Sequence, residues 1–360
     1  MSISPRGIRE DGLAKLLGPV SSGWVPTTRA GEGMAEQSDN ETVGLFNSIY
    51  ERFSYGKLPS LLAHYTSIRV VESILSNEEI WFSNPLFMND LQEMRFGLHL
   101  GTSLFSDSEL LKQAGGTDAR VAILQHAYAQ CFQQFENQRA FDTYVFCLSE
   151  HDGSNTDGLL SMWRGYGQHG NGAALVFDPA KLTMVPSSPL LFAQVSYGTD
   201  EERTQQLATL LRQWAEISER IALPDERLYL AASCAFMVVK AFALTTKHRG
   251  FSEEAEWRVI YYPERDSAGA LKPFFGYHVG ERGIEPKLKY PIGYIANVSA
   301  PDLALDRLLH KIILGPSLSS PLAKKGVERM LESIKKSNYV ERLHPSGIPL
   351  RPNAATSFFR

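Results

Sequence analysis

The segment FSEEAEWRVIYY (251–262) carries the residues best suited to chemistry. On a strand, Glu254, Glu256 and Arg258 share one face, and Ala255, Trp257 and Val259 share the other. Two carboxylates two residues apart lie about 7 Å apart along a strand. One could stabilise a cationic sugar transition state, as in glycosyl transfer. The other could accept a proton or position an acceptor. The same pattern also describes a solvated edge strand whose ion pair contributes little.

Three other groupings could do chemistry. His64 lies mid-strand in LLAHYT (61–66), beside Tyr65 and before the hydroxyls of Thr66 and Ser67. Alternation sends His64 and Tyr65 to opposite faces, so both reach one pocket only where the strand ends or twists. Asn89, Asp90 and Glu93 cluster at a helix start. They read as caps, Glu93 falling three residues after Asp90 as in a capping box, or as part of a divalent-metal set that needs further ligands. In SMWRGY (161–166), Trp163 and Tyr166 are one helical turn apart. That spacing suits a core pair or a platform that stacks on a flat ring.

Gly165–Gly170 spells GxGxxG, but a helix precedes it and a strand follows, so it reads as a helix stop and a turn. Ser161 lacks the GxSxG elbow of a serine hydrolase.

These residues must be held by the elements around them. Hydrophobic patterning predicts a strand over 61–66, a helix capped by Ser67 and ended by Asn77, and a strand over 80–83 broken at Asn84-Pro85. A helix capped by Asn89 or Asp90 runs to about Leu104, and another covers 118–138. Strands follow over 142–149, 172–178 and 190–197, with a short helix over 159–166. Residues 200–246 read as two long helices split at Pro224, an inserted helical layer. Strands return over 256–262, 290–298 and 308–315, then a helix over 320–336 and short closing strands. Strands and helices mix without a regular βαβ period, which predicts an α+β domain over 46–360. Residues 1–45, rich in Gly, Ser, Pro and Thr, read as a disordered leader; order is expected from near Ser38, with Val43, Phe46, Ile49, Tyr50 and Phe53 at helical spacing.

Composition narrows the function classes. The 360 residues are 43% hydrophobic and 21% charged, enough to bury a sizeable core. Lys and Arg number 36 against 40 Asp and Glu, a formal net charge of −4. This excludes a broadly basic nucleic-acid binder, so any nucleic-acid partner must be gripped by a local patch. Cys131, Cys147 and Cys234 are far apart and odd in number, without CxxC or HExxH. That excludes a disulfide scaffold and a zinc ribbon and fits a reducing cytoplasm. The most apolar stretch, Leu228–Leu244, is broken by Lys240 and falls short of the roughly 20 apolar residues of a membrane span, so it reads as a buried helix. The first residues do not form a signal peptide.

From about residue 60 to the end, the chain resembles a bacterial family known as domain of unknown function 2971. The resemblance rests on LAHYTSIRVVESILSNEEIWFSNPLFMNDLQE (62–93), VFCLSE with LLSMWRGYGQHGNGAALVFD (145–178), FSEEAEWRVIYY (251–262) and KIILGP (311–316). More remotely, the strand–helix–strand opening and the later Glu-bearing strand are similar to ADP-ribosyltransferases of the nucleic-acid-modifying toxin type. That similarity implies a curved or split mixed β core and NAD as substrate. His64 would contact the adenosine-side ribose, and Tyr65 or Tyr166 would stack on nicotinamide, with Trp163 counted among the cofactor-binding residues. Ser83 would be the second-strand serine, Glu256 the catalytic carboxylate and Glu254 its ExE partner, with Arg258 on the pyrophosphate or paired with Glu254. The acceptor would be nucleic acid or protein, in a toxin or phage-defence role. The chain departs from that pattern in lacking an STS run. Two alternatives are a non-catalytic nucleotide- or peptide-binding sensor using the same pocket, and a metal-dependent nuclease built on Asn89, Asp90, Glu93 and the 254/256 pair.

Overall fold

The computed structural model describes residues 42–53, 58–88, 91–183, 185, 188–280 and 283–350. The proposed leader, its Ser38 start and the caps Asn89 and Asp90 lie outside them, except that Val43–Phe53 joins the fold. Phe46, Ile49 and Phe53 of that segment are buried in the largest hydrophobic cluster.

In chain order, β1 (Leu61–Ser67) leads into α1 (Ile68–Asn77), whose first turn is capped by the Ser67 hydroxyl accepting from Val70 N. After β2 (Glu79–Ser83) come α2 (Leu91–Phe105), α3 (Ser108–Gly115) and α4 (Asp118–Gln134). Next are β3 (Tyr144–His151), α5 (Leu160–Gly165), β4 (Gly172–Phe177), β5 (Leu190–Gln194) and β6 (Ser196–Gly198). The two long helices α6 (Asp200–Ile221) and α7 (Leu228–Thr245) precede β7 (Thr246–His248) and β8 (Glu256–Tyr261). The chain closes with β9 (Phe275–Gly280), β10 (Gly283–Pro291), β11 (Leu309–Leu314), α8 (Pro321–Ser333) and β12 (Leu343–Pro345).

Among the described residues, ten strands form one mixed sheet in the order β12-β11-β4-β1-β3-β2-β10-β9, with β8 added to β3 and β5 to β8. β6 and β7 pair separately. The fold is therefore α+β, and its sheet splits at β3. One edge of β3 is taken by β8 over Tyr144–Ser149. The other edge is divided: β1 holds Ser149–His151, and β2 holds Val145 alone. Between those contacts β1 and β2 part, leaving a gap over Phe146–Leu148.

One sheet face packs against α2, α3, α4, α6 and α7; α6 and α7 are the two helices expected over 200–246, and α2, α3 and α4 share the layer with them. The same face carries a smaller cluster in which Ala63 and Tyr65 meet Met162 and Trp163 of α5. The other face buries Leu62, Phe82, Phe146 and Trp257 with α1 and α8. Helix α7, with the turn before it, is long and apolar enough to cross a membrane by length and composition, contrary to the expectation, but it is enclosed by its neighbours here.

The crossing of α2 and α7 depends on two glycines. A Cβ on Gly97 would lie 2.6 Å from Ala243 Cα, and one on Gly101 would lie 2.1 Å from Val239 Cγ1. Gly97→Ala would gain about 1 kcal/mol of helix propensity but must force two backbones apart. Overpacking of this kind costs about 1–3 kcal/mol and sometimes more. The expected outcome is a net destabilisation of about 2 kcal/mol, read as a lower urea midpoint at unchanged slope.

Three expectations are corrected. The strand placed at 290–298 is instead β10, which ends at Pro291 and forms an antiparallel hairpin with β9. Glu254 is not on the strand: it ends a 3-10 turn, and Ala255 with φ 42° redirects the chain into β8. β8 is not a solvated edge, because it lies between β3 and β5.

Candidate functional site

A cleft of about 520 Å³ opens where the sheet splits. His64, Ser83, Glu254 and Glu256 all line it, together with Tyr166, Cys147, Lys287 and His278. By strand alternation His64 belongs to the face away from the helical layer. It reaches the cleft because the pairing of β1 with β3 ends at Ala63. Its ring then enters the gap, its centroid 4.6 Å from that of the Phe146 ring and tilted by 36° to it, with Nδ1 3.0 Å from the Cys147 carbonyl oxygen. Only a protonated Nδ1 can donate to a carbonyl, so Nε2 carries the lone pair. Burial holds the His64 pKa below its usual value, against the opposing effect of that hydrogen bond. The ring is thus a neutral acceptor at pH 7.

At one end of the cleft, Lys247 of β7 lies between the two carboxylates. Its Nζ is 2.5 Å from Glu254 Oε2 and 3.0 Å from Glu256 Oε2. Arg258 grips Glu256 with both Nε (2.8 Å to Oε1) and Nη2 (3.0 Å to Oε2), while its Nη1 donates to the Leu244 carbonyl. Glu256 is 5% exposed and Arg258 4%. Burial alone would raise the Glu256 carboxyl; the Arg258 guanidinium, the Lys247 ammonium and a hydrogen bond from the Cys147 thiol reverse this and hold it at about 2. Glu254 sits nearer the opening, and its Oε1 accepts from the exposed Tyr166 hydroxyl at 2.7 Å.

The other end is built by β2 and the β9–β10 hairpin. Lys287 Nζ donates to Ser83 Oγ at 2.9 Å and pairs with Glu285 at 3.0 Å. Trp81 and His278 close this end with ring centroids 5.6 Å apart.

Residues 162–259 match the profile of a family described as protein of unknown function (DUF2971). Comparisons with curated proteins and with solved structures find no match. The DUF2971 span supplies Met162, Tyr166, Glu254 and Glu256 to the cleft, along with Lys247 and Arg258 behind them. His64, Ser83, Cys147 and Lys287 come from outside it.

Several expected roles change. The Trp163 ring is fully buried, and its Nε1 donates to the Asp157 carbonyl. Tyr65 packs edge-on against it at 4.8 Å, and its hydroxyl accepts from Leu159 N. The Trp163 ring is closed to a ligand, and Tyr65 contributes to the cleft wall but is only 5% exposed; burial pushes the Tyr65 hydroxyl up to about 12. Tyr166 keeps an exposed ring. Arg258 pairs with Glu256 rather than Glu254 and is too enclosed to reach a pyrophosphate.

Glu93 pairs at 2.8 Å with Arg203 of α6 and accepts from His248 N, so it is already engaged apart from the 254/256 pair. Among the described residues, no group of three His, Cys, Asp or Glu side chains has the geometry to hold a metal.

The sequence reading missed Lys247, Lys287 and Cys147. Two carboxylates on one buried face demand cations nearby, and that requirement was the available signal for Lys247. Nothing local marked Lys287, since its hairpin contains Pro286, which reads as a strand breaker.

Proposed function

We propose that the cleft binds NAD and that the protein is an ADP-ribosyltransferase whose acceptor is nucleic acid or protein. One observation supports this above others: His64 of β1, Ser83 of β2 and the Glu254–Glu256 pair line a single cleft at the split of the sheet. His64 Nε2 would accept from a ribose hydroxyl, and Ser83 with Lys287 would face the diphosphate. Nicotinamide would rest against Tyr166. When the C1′–N bond breaks, its electron pair leaves with nicotinamide, and the ribosyl cation that remains needs a nearby anion. Glu254 takes that part, because it sits nearer the opening and shares its oxygens only with Lys247 and the exposed Tyr166 hydroxyl, whereas Glu256 lies deeper and is clasped by both Arg258 and Lys247. Glu256 then acts as the positioning residue, fixing Lys247 and through it Glu254. The acceptor's lone pair forms the new bond at C1′, and its proton passes to solvent.

A second reading has its own support. Lys247 and Arg258 already neutralise both carboxylates, which suits a sensor that binds a nucleotide without breaking it. Incubation with NAD labelled in the nicotinamide ring, with and without nucleic acid and lysate protein, separates the two. Transfer predicts nicotinamide release that falls by about 100-fold or more in Glu254→Gln. Calorimetric binding of NAD without release, unchanged by acceptor, would favour the sensor. Absence of binding would overturn both.

A further inference from the structure

We propose that a second pocket, on the sheet face away from the helical layer, is a binding site for a small neutral ligand the size of a single aromatic ring. The pocket has a volume of about 140 Å³ and is walled by Leu62, Phe82, Phe146, Phe192 and Val259, among other apolar side chains. It opens partly to the surface, so a ligand can enter and cover apolar wall that is otherwise wetted. Apolar cavities of about 150 Å³ accept one benzene ring.

The few polar groups at the pocket indicate which ligand it excludes. Ser299 Oγ accepts from Ile295 N and donates to the Gly293 carbonyl. Ser188 Oγ accepts from Leu190 N, and Asp178 Oδ1 accepts from Ala180 N. Thr183 Oγ1 donates to Asp302 Oδ2 at 3.5 Å and the Tyr290 hydroxyl bonds Ser299, so each polar group already has a partner within the protein. Among the described residues, Asp178 is the one carboxylate in the lining, and no lysine, arginine or histidine lines the pocket. A fatty acid or other anion would therefore find repulsion and no counter-charge. A neutral ring needs neither.

The site is separate from the cleft, although Phe146 and Leu148 contribute to both walls. Its test therefore does not depend on NAD chemistry. Indole titrated into the full-length protein should bind saturably by calorimetry and raise the melting temperature with concentration. Ala300→Phe, which places a ring inside the pocket, should weaken indole binding by at least about tenfold. NAD binding at the cleft should be unchanged. If that variant does not fold, Leu303→Trp, at a partly exposed lining position, makes the same test. No saturable binding to the wild type, or equal binding to a folded filled variant, would overturn the site.

Discussion

Arg258→Met is expected to destabilise the protein by about 3–5 kcal/mol, the cost of breaking a buried pair from one side. The guanidinium supplies two bonds to Glu256 and one to the Leu244 carbonyl, and all three groups are buried. Without it, Glu256 and Glu254 must share the single ammonium of Lys247. The paired variant Glu256→Leu with Arg258→Leu should cost less than the sum of the two single changes, because it leaves neither charge alone.

The pH dependence follows from the same cluster. Glu256 is held at about 2 against an ordinary value of 4.5. Its contribution is fully present above pH 4.5 and is lost as pH falls from there towards 2, a span worth about 3 kcal/mol. His64 adds an earlier loss, since its folded pKa lies below 6.5 and the unfolded chain takes up that proton first. Urea unfolding from pH 7 to 3 should therefore show stability declining from about pH 6.5 and more steeply below 4.5. In Glu256→Gln the steeper limb should be reduced and the limb near 6.5 retained. A curve unchanged by Glu256→Gln would show that this carboxylate does not carry the acid sensitivity.

Glu264→Ala is the second substitution expected to be severe, again about 3–5 kcal/mol. Lys240 of α7 is fully buried, and its Nζ lies 2.9 and 2.8 Å from the two Glu264 oxygens. The rings of Phe135 and Tyr262 flank it at 5.1 and 5.0 Å. Removing the carboxylate leaves an ammonium with aromatic faces for company.

Lys240→Met should be far milder, because Glu264 is partly exposed and keeps Arg139 at 3.7 Å. Burial already lowers the Lys240 pKa, and losing Glu264 removes the opposing pull. The unfolded chain then binds this proton more tightly, so the Glu264→Ala deficit should shrink as pH rises towards 10.5. Urea midpoints of both variants at pH 7 and pH 9.5 measure the asymmetry. Equal losses in the two would sink it.

Local rules read much of this fold. Ser67 caps α1 as its hydroxyl and position predict, Asn77 ends that helix, and Pro224 separates α6 from α7. The opening strand–helix–strand unit and the strand carrying Glu256 also lie where periodicity puts them. What sequence could not supply was pairing. Whether β8 is an edge or an interior strand depends on β3 and β5, more than 60 residues before it. That placement decides whether Glu256 is solvated or enclosed. The β9–β10 hairpin escaped because its residues alternate weakly, its outer strand is exposed, and Pro286 interrupts it.

The split sheet also has a kinetic consequence. The cleft is joined by contacts spanning long stretches of chain: His64 to Cys147 across 83 residues and Ser83 to Lys287 across 204. Closing such loops costs entropy before any contact compensates for it. The helices of the inserted layer can form from near neighbours, whereas the two strands that part at β3 must both arrive before the cleft exists. After dilution from urea, helical signal should return first, and the ability to bind a ligand in the cleft should be among the last properties regained.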